Sequence, residues 1–192
     1  MPQPSHIAKI SLPDRQTLEE DLQKYIEICE EKLGMVPNVL TSYTAKPQKF
    51  RTFTRFYNEL MLGEDDCDLS KLEREMIAVV VSSANRCYYC LIAHGQAVRE
   101  LSGDPQLGEM IVTNYRVAEL SARQRAMLDF AWKLTKSPHD IGDQDRQALK
   151  DAGFSEGDIF DISDVAAFFN YTNRVAHAID MMPNPEYHAK SR

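Results

Sequence analysis

The 192-residue chain lacks a hydrophobic run that could span a bilayer. Its longest apolar stretch is Met76 to Val81, against about 20 residues for a membrane helix. It also lacks a dense lysine and arginine cluster. The 22 basic side chains face 29 acidic ones, a formal net charge of −7, so no nucleic-acid footprint is expected. The segment Met1-Pro2-Gln3-Pro4-Ser5-His6 does not have the charged-then-apolar pattern of a signal peptide. The expectation is a cytoplasmic protein with neither membrane nor nucleic-acid partners. Cysteine is scarce, with four residues. In a reducing compartment structural disulfides are rare, and a Cys-x-x-Cys pair there points to catalysis or metal binding. No strand pair or hairpin signal is convincing.

What is present reads as helix. The hydrophobic fraction of 43% and charged fraction of 27% are those of an ordinary soluble protein. The length suits one domain over residues 1–192 with a sizeable core. Leu18, Leu22, Tyr25, Ile26, Cys29 and Leu33 recur at three- and four-residue spacings, the face of an amphipathic helix stopped by Gly34. Pro37 to Tyr43 predicts a short helical turn. Pro47 opens a further helix with Phe50, Phe53, Phe56, Tyr57 and Leu60 inward. Residues 63–68 form an acidic loop. Ser70 and Glu73 make a capping box ahead of a helix over Lys71 to Ala84 that is apolar nearly all round. Its run Val79-Val80-Val81 also suits a strand, but the cap and the length favour helix. Asn85-Arg86 breaks it. The next helix runs from Cys87 to Leu101 and ends at Ser102-Gly103 and Pro105. Asp143 to Ala152 is a short helix, and Ser155 caps a final one from Glu156 to about Asp180. Residues 183–192 are polar and read as a mobile tail or an arm over a neighbouring subunit. Met127, Leu128, Phe130 and Trp132 read as core.

Residues 69–76 align with 120–127. Leucine, serine, arginine and methionine coincide, and both segments carry capping boxes. Two helices with similar caps account for this as well as an internal duplication does. Either way, Glu75 in the first copy is Ala126 in the second, so the fold does not demand that carboxylate.

The chemistry lies in Cys87-x-x-Cys90, His94 and Glu75. Spacings of three and four put Cys87, Cys90 and His94 on one helix face. The Cα atoms of an i, i+3 pair lie about 5 Å apart, inside the window for a disulfide. The helix N-terminus favours thiolate, and by position alone it favours Cys87. An imidazole one turn on can take a thiol proton. Glu75, in an apolar helix, needs a partner if it is buried, and His94 is the candidate. The alternative is an exposed Glu75 favoured by the helix dipole. Tyr88 and Tyr89 bracket the pair and are candidates for the substrate entrance.

Glu75, twelve residues, Cys87-x-x-Cys90 and then His94 resemble the core of alkylhydroperoxidase AhpD, within the carboxymuconolactone decarboxylase-like superfamily. Leu69-Ser70, Glu73-Arg74, Ala84-Asn85, Tyr89-Cys90 and Ala93-His94 fit as well. Residues 169–176, Phe169-Asn170-Tyr171-Thr172-Asn173-Arg174-Val175-Ala176, resemble the peroxidase-related branch. The strong match covers about residues 69–101. The resemblance implies an all-α AhpD-like helical bundle, assembled as a homo-oligomer (trimer or hexamer), and a thiol peroxidase without a cofactor. It implies Cys90 as the peroxide-reactive thiol, Cys87 as the resolving one, and His94 with Glu75 as a proton relay. Its partners would be a peroxide and a dithiol or thiol-protein reductant. One departure stands out. AhpD has a histidine directly before the second cysteine, and this chain has Tyr89, a phenol and so a poor base near neutral pH.

Other readings remain open. Zinc could be held by Cys87, Cys90, His94 and Cys67. A non-catalytic helical oligomer could use the disulfide as a switch. Lactone or decarboxylase chemistry occurs elsewhere in the superfamily, generally without the cysteine pair. Covalent haem would need histidine where Leu91 stands. Cys29 reads as a core residue, Cys67 as a loop thiol, and His6, His139 and His188 as surface. Asn170, Asn173 and His177 form a polar stripe suited to hydrogen-bonded structural roles.

Overall fold

The computed structural model describes residues 3–63 and 68–192. Most of the expected acidic loop, including Cys67, lies outside them, as do Met1 and Pro2. All regular elements among the described residues are helical.

The caps explain most boundaries. Helix α1, Glu20–Leu33, carries Glu20 and Asp21 in its first turn and ends at Gly34, whose φ of 71° suits a glycine. Helix α2, Asn38–Tyr43, leads into α3, Pro47–Tyr57, which has proline in its first turn. A π-turn, Asn58–Leu62, follows. Helix α4, Lys71–Asn85, starts from the capping box: the Ser70 hydroxyl accepts from the Glu73 N–H, and the Glu73 carboxylate accepts from the Ser70 N–H at 2.9 Å. Helix α5 is Tyr88–Ser102, closed by Gly103. Pro105, expected only to end a helix, opens another, α6 (Pro105–Asn114), whose N-cap Asp104 accepts from the Gln106 N–H. Helix α7, Ala122–Lys136, has the second capping box, Ser121 with Gln124. Helices α8, Asp143–Asp151, and α9, Glu156–Ala178, complete the bundle. Helix α9 stops short of Asp180, which turns the chain at φ 50°.

Helix α4 is the centre, packed against α5, α6, α7 and α9. Residues Met76 to Val81 are fully buried. Apart from Ala78, each such side chain contributes about 1.5–3 kcal/mol on burial, so helix neighbours on all sides settle the conformation that the β-branched run left open. At its end Arg86 adopts the left-handed region (φ 56°, ψ 36°), and the Cys87 N–H reaches back to the Ser82 carbonyl at 2.9 Å. Cys87 is therefore the N-cap of α5 (φ −81°, ψ 101°), one position outside the helix expected to include it.

Two expectations fail. Phe56 is 39% exposed, because α3 is covered along only part of its circumference; the ring meets Phe168 edge-on at 5.0 Å. The C-terminal segment is not a free tail. Asn184 accepts from the Asn38 N–H at 2.7 Å and donates to the Val36 carbonyl at 2.8 Å. The buried Arg99 guanidinium donates to the carbonyls of Tyr187 at 2.9 Å and Lys190 at 3.1 Å. The polar residues of this segment satisfy the start of α2 and a buried cation of α5. A buried guanidinium without acceptors is costly, and this segment supplies them.

Candidate active site

The site is built across the α4–α5 pair. Glu75, on the second turn of α4, is 8% exposed. Its Oε2 lies 2.7 Å from His94 Nδ1 on α5. The imidazole rests edge-on against Phe169 at 4.7 Å. Glu75 is thus the buried, partnered carboxylate rather than the exposed one.

Glu75, Cys90 and His94 border one cavity of about 430 Å³. Its walls are mostly apolar and aromatic, with Leu40, Phe53, Tyr57, Phe168 and Phe169 among them. A site of this size encloses a small organic molecule. Cys87 is not among the lining residues. It is buried behind Cys90, with its sulfur 3.9 Å from the Asn173 carbonyl oxygen. Both cysteines are free thiols.

The two thiols ionise differently. The Cys90 thiol, donating to Cys87, brings Cys87 down to about 7 against the opposition of burial; the Cys90 N–H at the start of α5 adds to the effect. The same interaction and burial push Cys90 up. Of the two thiols Cys87 ionises first, while the sulfur that faces the cavity is Cys90.

Behind the thiols runs a ladder of amides. Asn173, fully buried, donates to Ser82 Oγ and accepts from Asn85 Nδ2, each at 3.0 Å. Asn85 also donates to Asn170, and Asn170 to Thr135. His177 Nε2 meets the Asn85 carbonyl at 3.1 Å. The polar stripe of α9 is hydrogen-bonded throughout, and its Asn173 end touches the cysteine pair.

Tyr89 lines the cavity, 4% exposed, and its hydroxyl accepts from the Val39 N–H at 3.1 Å. Tyr88 points elsewhere: it is 49% exposed, 3.5 Å from His188 Nε2 and outside the lining. His6 pairs with Asp180, and His139 lies beside Asp140. Among the described residues no group of three or more His, Cys, Asp or Glu side chains is arranged to hold a metal ion, and Cys67 lies outside them. No described helix is long and apolar enough to cross a membrane.

Two lining residues escaped the sequence reading. Cys29, expected in the core, borders the cavity, with its thiol pushed up by burial. Tyr43 lines it from α2. Neither belongs to a motif, and only the packing of α1 and α2 against α3 brings them there.

The sequence profile of the carboxymuconolactone decarboxylase family matches residues 47–131. An uncharacterised peroxidase-related protein from Silicibacter sp. TM1040 is 59% identical over 100% of both chains, with a TM-score of 0.94. An AhpD-core, uncharacterised peroxidase-related protein from Ralstonia eutropha JMP134 is 38% identical over 98% of both, also at 0.94. The debrominase Bmp8 is 19% identical over 97% of this chain and 96% of that one, with a TM-score of 0.77, a likeness of fold alone. No curated protein matches. Identity at this level over the whole length, with the same all-helical architecture, means that the chain belongs to the AhpD-like, peroxidase-related branch of the carboxymuconolactone decarboxylase family.

Proposed function

We propose that the protein is a thiol-dependent hydroperoxidase acting on organic hydroperoxides, in antioxidant defence. One observation carries this reading: Cys90, rather than Cys87, faces an apolar cavity that it shares with a histidine hydrogen-bonded to a buried carboxylate.

His94, oriented by Glu75, takes the Cys90 proton. The thiolate attacks the terminal oxygen of the hydroperoxide and the O–O bond breaks. Its electron pair leaves on the alkoxide, which receives the proton from His94 and departs as alcohol. Cys90 is left as sulfenic acid. The Cys87 thiolate attacks that sulfur and expels hydroxide, which takes a proton from solvent and leaves as water, and a Cys87–Cys90 disulfide remains. An external dithiol reduces it by exchange. The sum is hydroperoxide plus dithiol giving alcohol, water and disulfide. A lowered Cys87 suits the resolving role, since a resolving thiol acts as thiolate, and its burial leaves Cys90 as its accessible target.

Homo-oligomer formation remains part of the proposal. Phe160 (70% exposed), Tyr171 (51%) and Phe56 give the chain an exposed aromatic surface. Light scattering on the wild type and on Phe160→Asp tests it, and a monomeric wild type would remove it.

The enzymatic test is consumption of cumene hydroperoxide with dithiothreitol. Cys90→Ser should abolish turnover. With dithiothreitol left out, Cys87→Ser should consume one equivalent and accumulate a sulfenic acid that dimedone traps. Undiminished turnover in Cys90→Ser overturns the mechanism. Stoichiometric oxidation of the wild type without turnover would favour the second reading, a redox-switched helical assembly.

A further inference from the structure

The cavity that holds Cys90 has a wet end as well as a buried one. Ile28, Cys29, Lys32 and Leu33 line it from the last two turns of α1, and Leu62 lines it from the π-turn. Spacings of three and four put the α1 residues on one helix face. Ile28, Leu33 and Leu62 are apolar yet 42% to 53% exposed. Cys90 and Glu75 are buried. The site is therefore an apolar passage that runs from solvent to the thiol, with hydrophobic side chains standing in water at its entrance. Exposed apolar surface gathered in one place marks binding grooves.

One charge sits at the wet end. Among the described residues that line the cavity, Lys32 is the only lysine or arginine. The two other ionisable groups that could carry charge there near neutral pH besides the thiols, Glu75 and His94, are paired with each other. Lys32 is exposed, and its ammonium makes no ion pair or hydrogen bond among the described residues. Its charge reaches the cavity wall: it opposes the rise that burial imposes on the Cys29 thiol, one turn back. A lysine can lay its stem on apolar surface and keep its head in water. Here that leaves an unpaired cation at the entrance of an apolar passage.

We infer that the preferred substrate is a long-chain fatty acid hydroperoxide, bound with its peroxide at Cys90 and its carboxylate at Lys32. The inference rests on the hydroperoxidase reading above and names its substrate class. The alkyl stretch between the two groups lies along Ile28, Leu33 and Leu62, whose exposed surface it covers. The carboxylate stays in water beside the ammonium, so the cost of burying a charge does not arise. The chemistry is unchanged: the terminal oxygen goes to Cys90, and the alcohol that leaves is a hydroxy acid with its carboxylate intact. Lys32 selects the substrate and takes no part in the proton transfers.

The experiment is steady-state turnover with dithiothreitol on three substrates: linoleic acid hydroperoxide, its methyl ester and tert-butyl hydroperoxide. The readout is the ratio of kcat/KM for the acid to that for the ester, in which any change in the chemical step cancels. The wild type should favour the acid. Lys32→Ala should lower the ratio about 5-fold, through KM, the upper range for an exposed ion pair. Lys32→Glu puts repulsion in place of attraction and should lower it about 20-fold, while Lys32→Arg should keep it. Lys24→Ala removes the same charge from α1 outside the cavity lining and should leave the ratio alone. Leu62→Asn should slow acid and ester alike, about 4-fold relative to tert-butyl hydroperoxide, the worth of about one methylene withdrawn from water. Four results overturn the inference and leave the hydroperoxidase reading standing: a wild type that does not favour the acid, a ratio unmoved in Lys32→Glu, an equal fall in Lys24→Ala, or a Leu62→Asn protein as fast as the wild type on both long chains. A wild type that turns over none of the three substrates overturns both.

Discussion

Glu75 Oε2 and His94 Nδ1 meet at 2.7 Å across the α4–α5 contact, both side chains almost wholly withdrawn from solvent. The contact fixes the orientation of the imidazole and leaves Nε2 as the ring nitrogen free for chemistry, the arrangement by which a carboxylate holds a catalytic histidine in one tautomer. Glu75→Gln keeps the shape but loses the charge that stabilises a protonated ring. Turnover should fall about 10²-fold, the low end of the range for general acid–base groups, with little change in KM. Steady-state peroxide assays with dithiothreitol check this; an unchanged kcat would remove Glu75 from the mechanism.

The ionisation of the thiol pair gives a pH prediction. Cys87 is held at about 7, against an ordinary 9.0, chiefly because Cys90 donates to it. Thiolate absorbance in the ultraviolet should therefore rise with a midpoint near 7 and disappear as pH falls below it. In Cys90→Ala the donor is gone and burial is left unopposed by it, so the midpoint should move up, toward or beyond 9.0. A midpoint that stays near 7 would assign the depression to the helix N-terminus instead. The linked stability has the same sign. A folded-state value below the unfolded one contributes nothing below about 7, grows as pH rises and is complete above 9.0.

The C-terminal segment yields a third test. Asn184→Ala removes two hydrogen bonds and leaves the Val36 carbonyl and Asn38 N–H without those partners. The expected cost is about 1–3 kcal/mol, read as a fall in the urea midpoint, with faster amide exchange around Tyr187. Gly108→Ala should loosen the same segment from the other side. A Cβ there would sit 2.4 Å from Arg99 Cγ, and Arg99 must shift away from the Tyr187 and Lys190 carbonyls it holds. An unchanged exchange pattern in both variants would mean that the segment is held by its apolar contacts alone.

These outcomes depend on features that the sequence reveals unevenly. The caps at Ser70, Ser121 and Ser155 and the stop at Gly34 are local, carried by residues within four of one another, and each is where the pattern puts it. The Glu75–His94 pairing was readable because a carboxylate in an apolar helix has few affordable positions. Long-range facts were hidden. Cys29 and Tyr43 reach the cavity only because α1 and α2 pack against α3. Pro105 looked like a terminator because proline ends one helix as readily as it opens the next. The polar 183–192 segment reads as mobile because nothing local announces that the Asn38 N–H and the Arg99 guanidinium, far off in sequence, need the Asn184 side chain and the Tyr187 carbonyl.

Tyr187, on the final turn, is a wall of the cavity whose other walls begin at Tyr25. The pocket is thus closed by residues far apart in sequence, and pairing α4 with α5 does not complete it. Loss of the Tyr187 wall alone would open the cavity while leaving the Glu75–His94 contact in place.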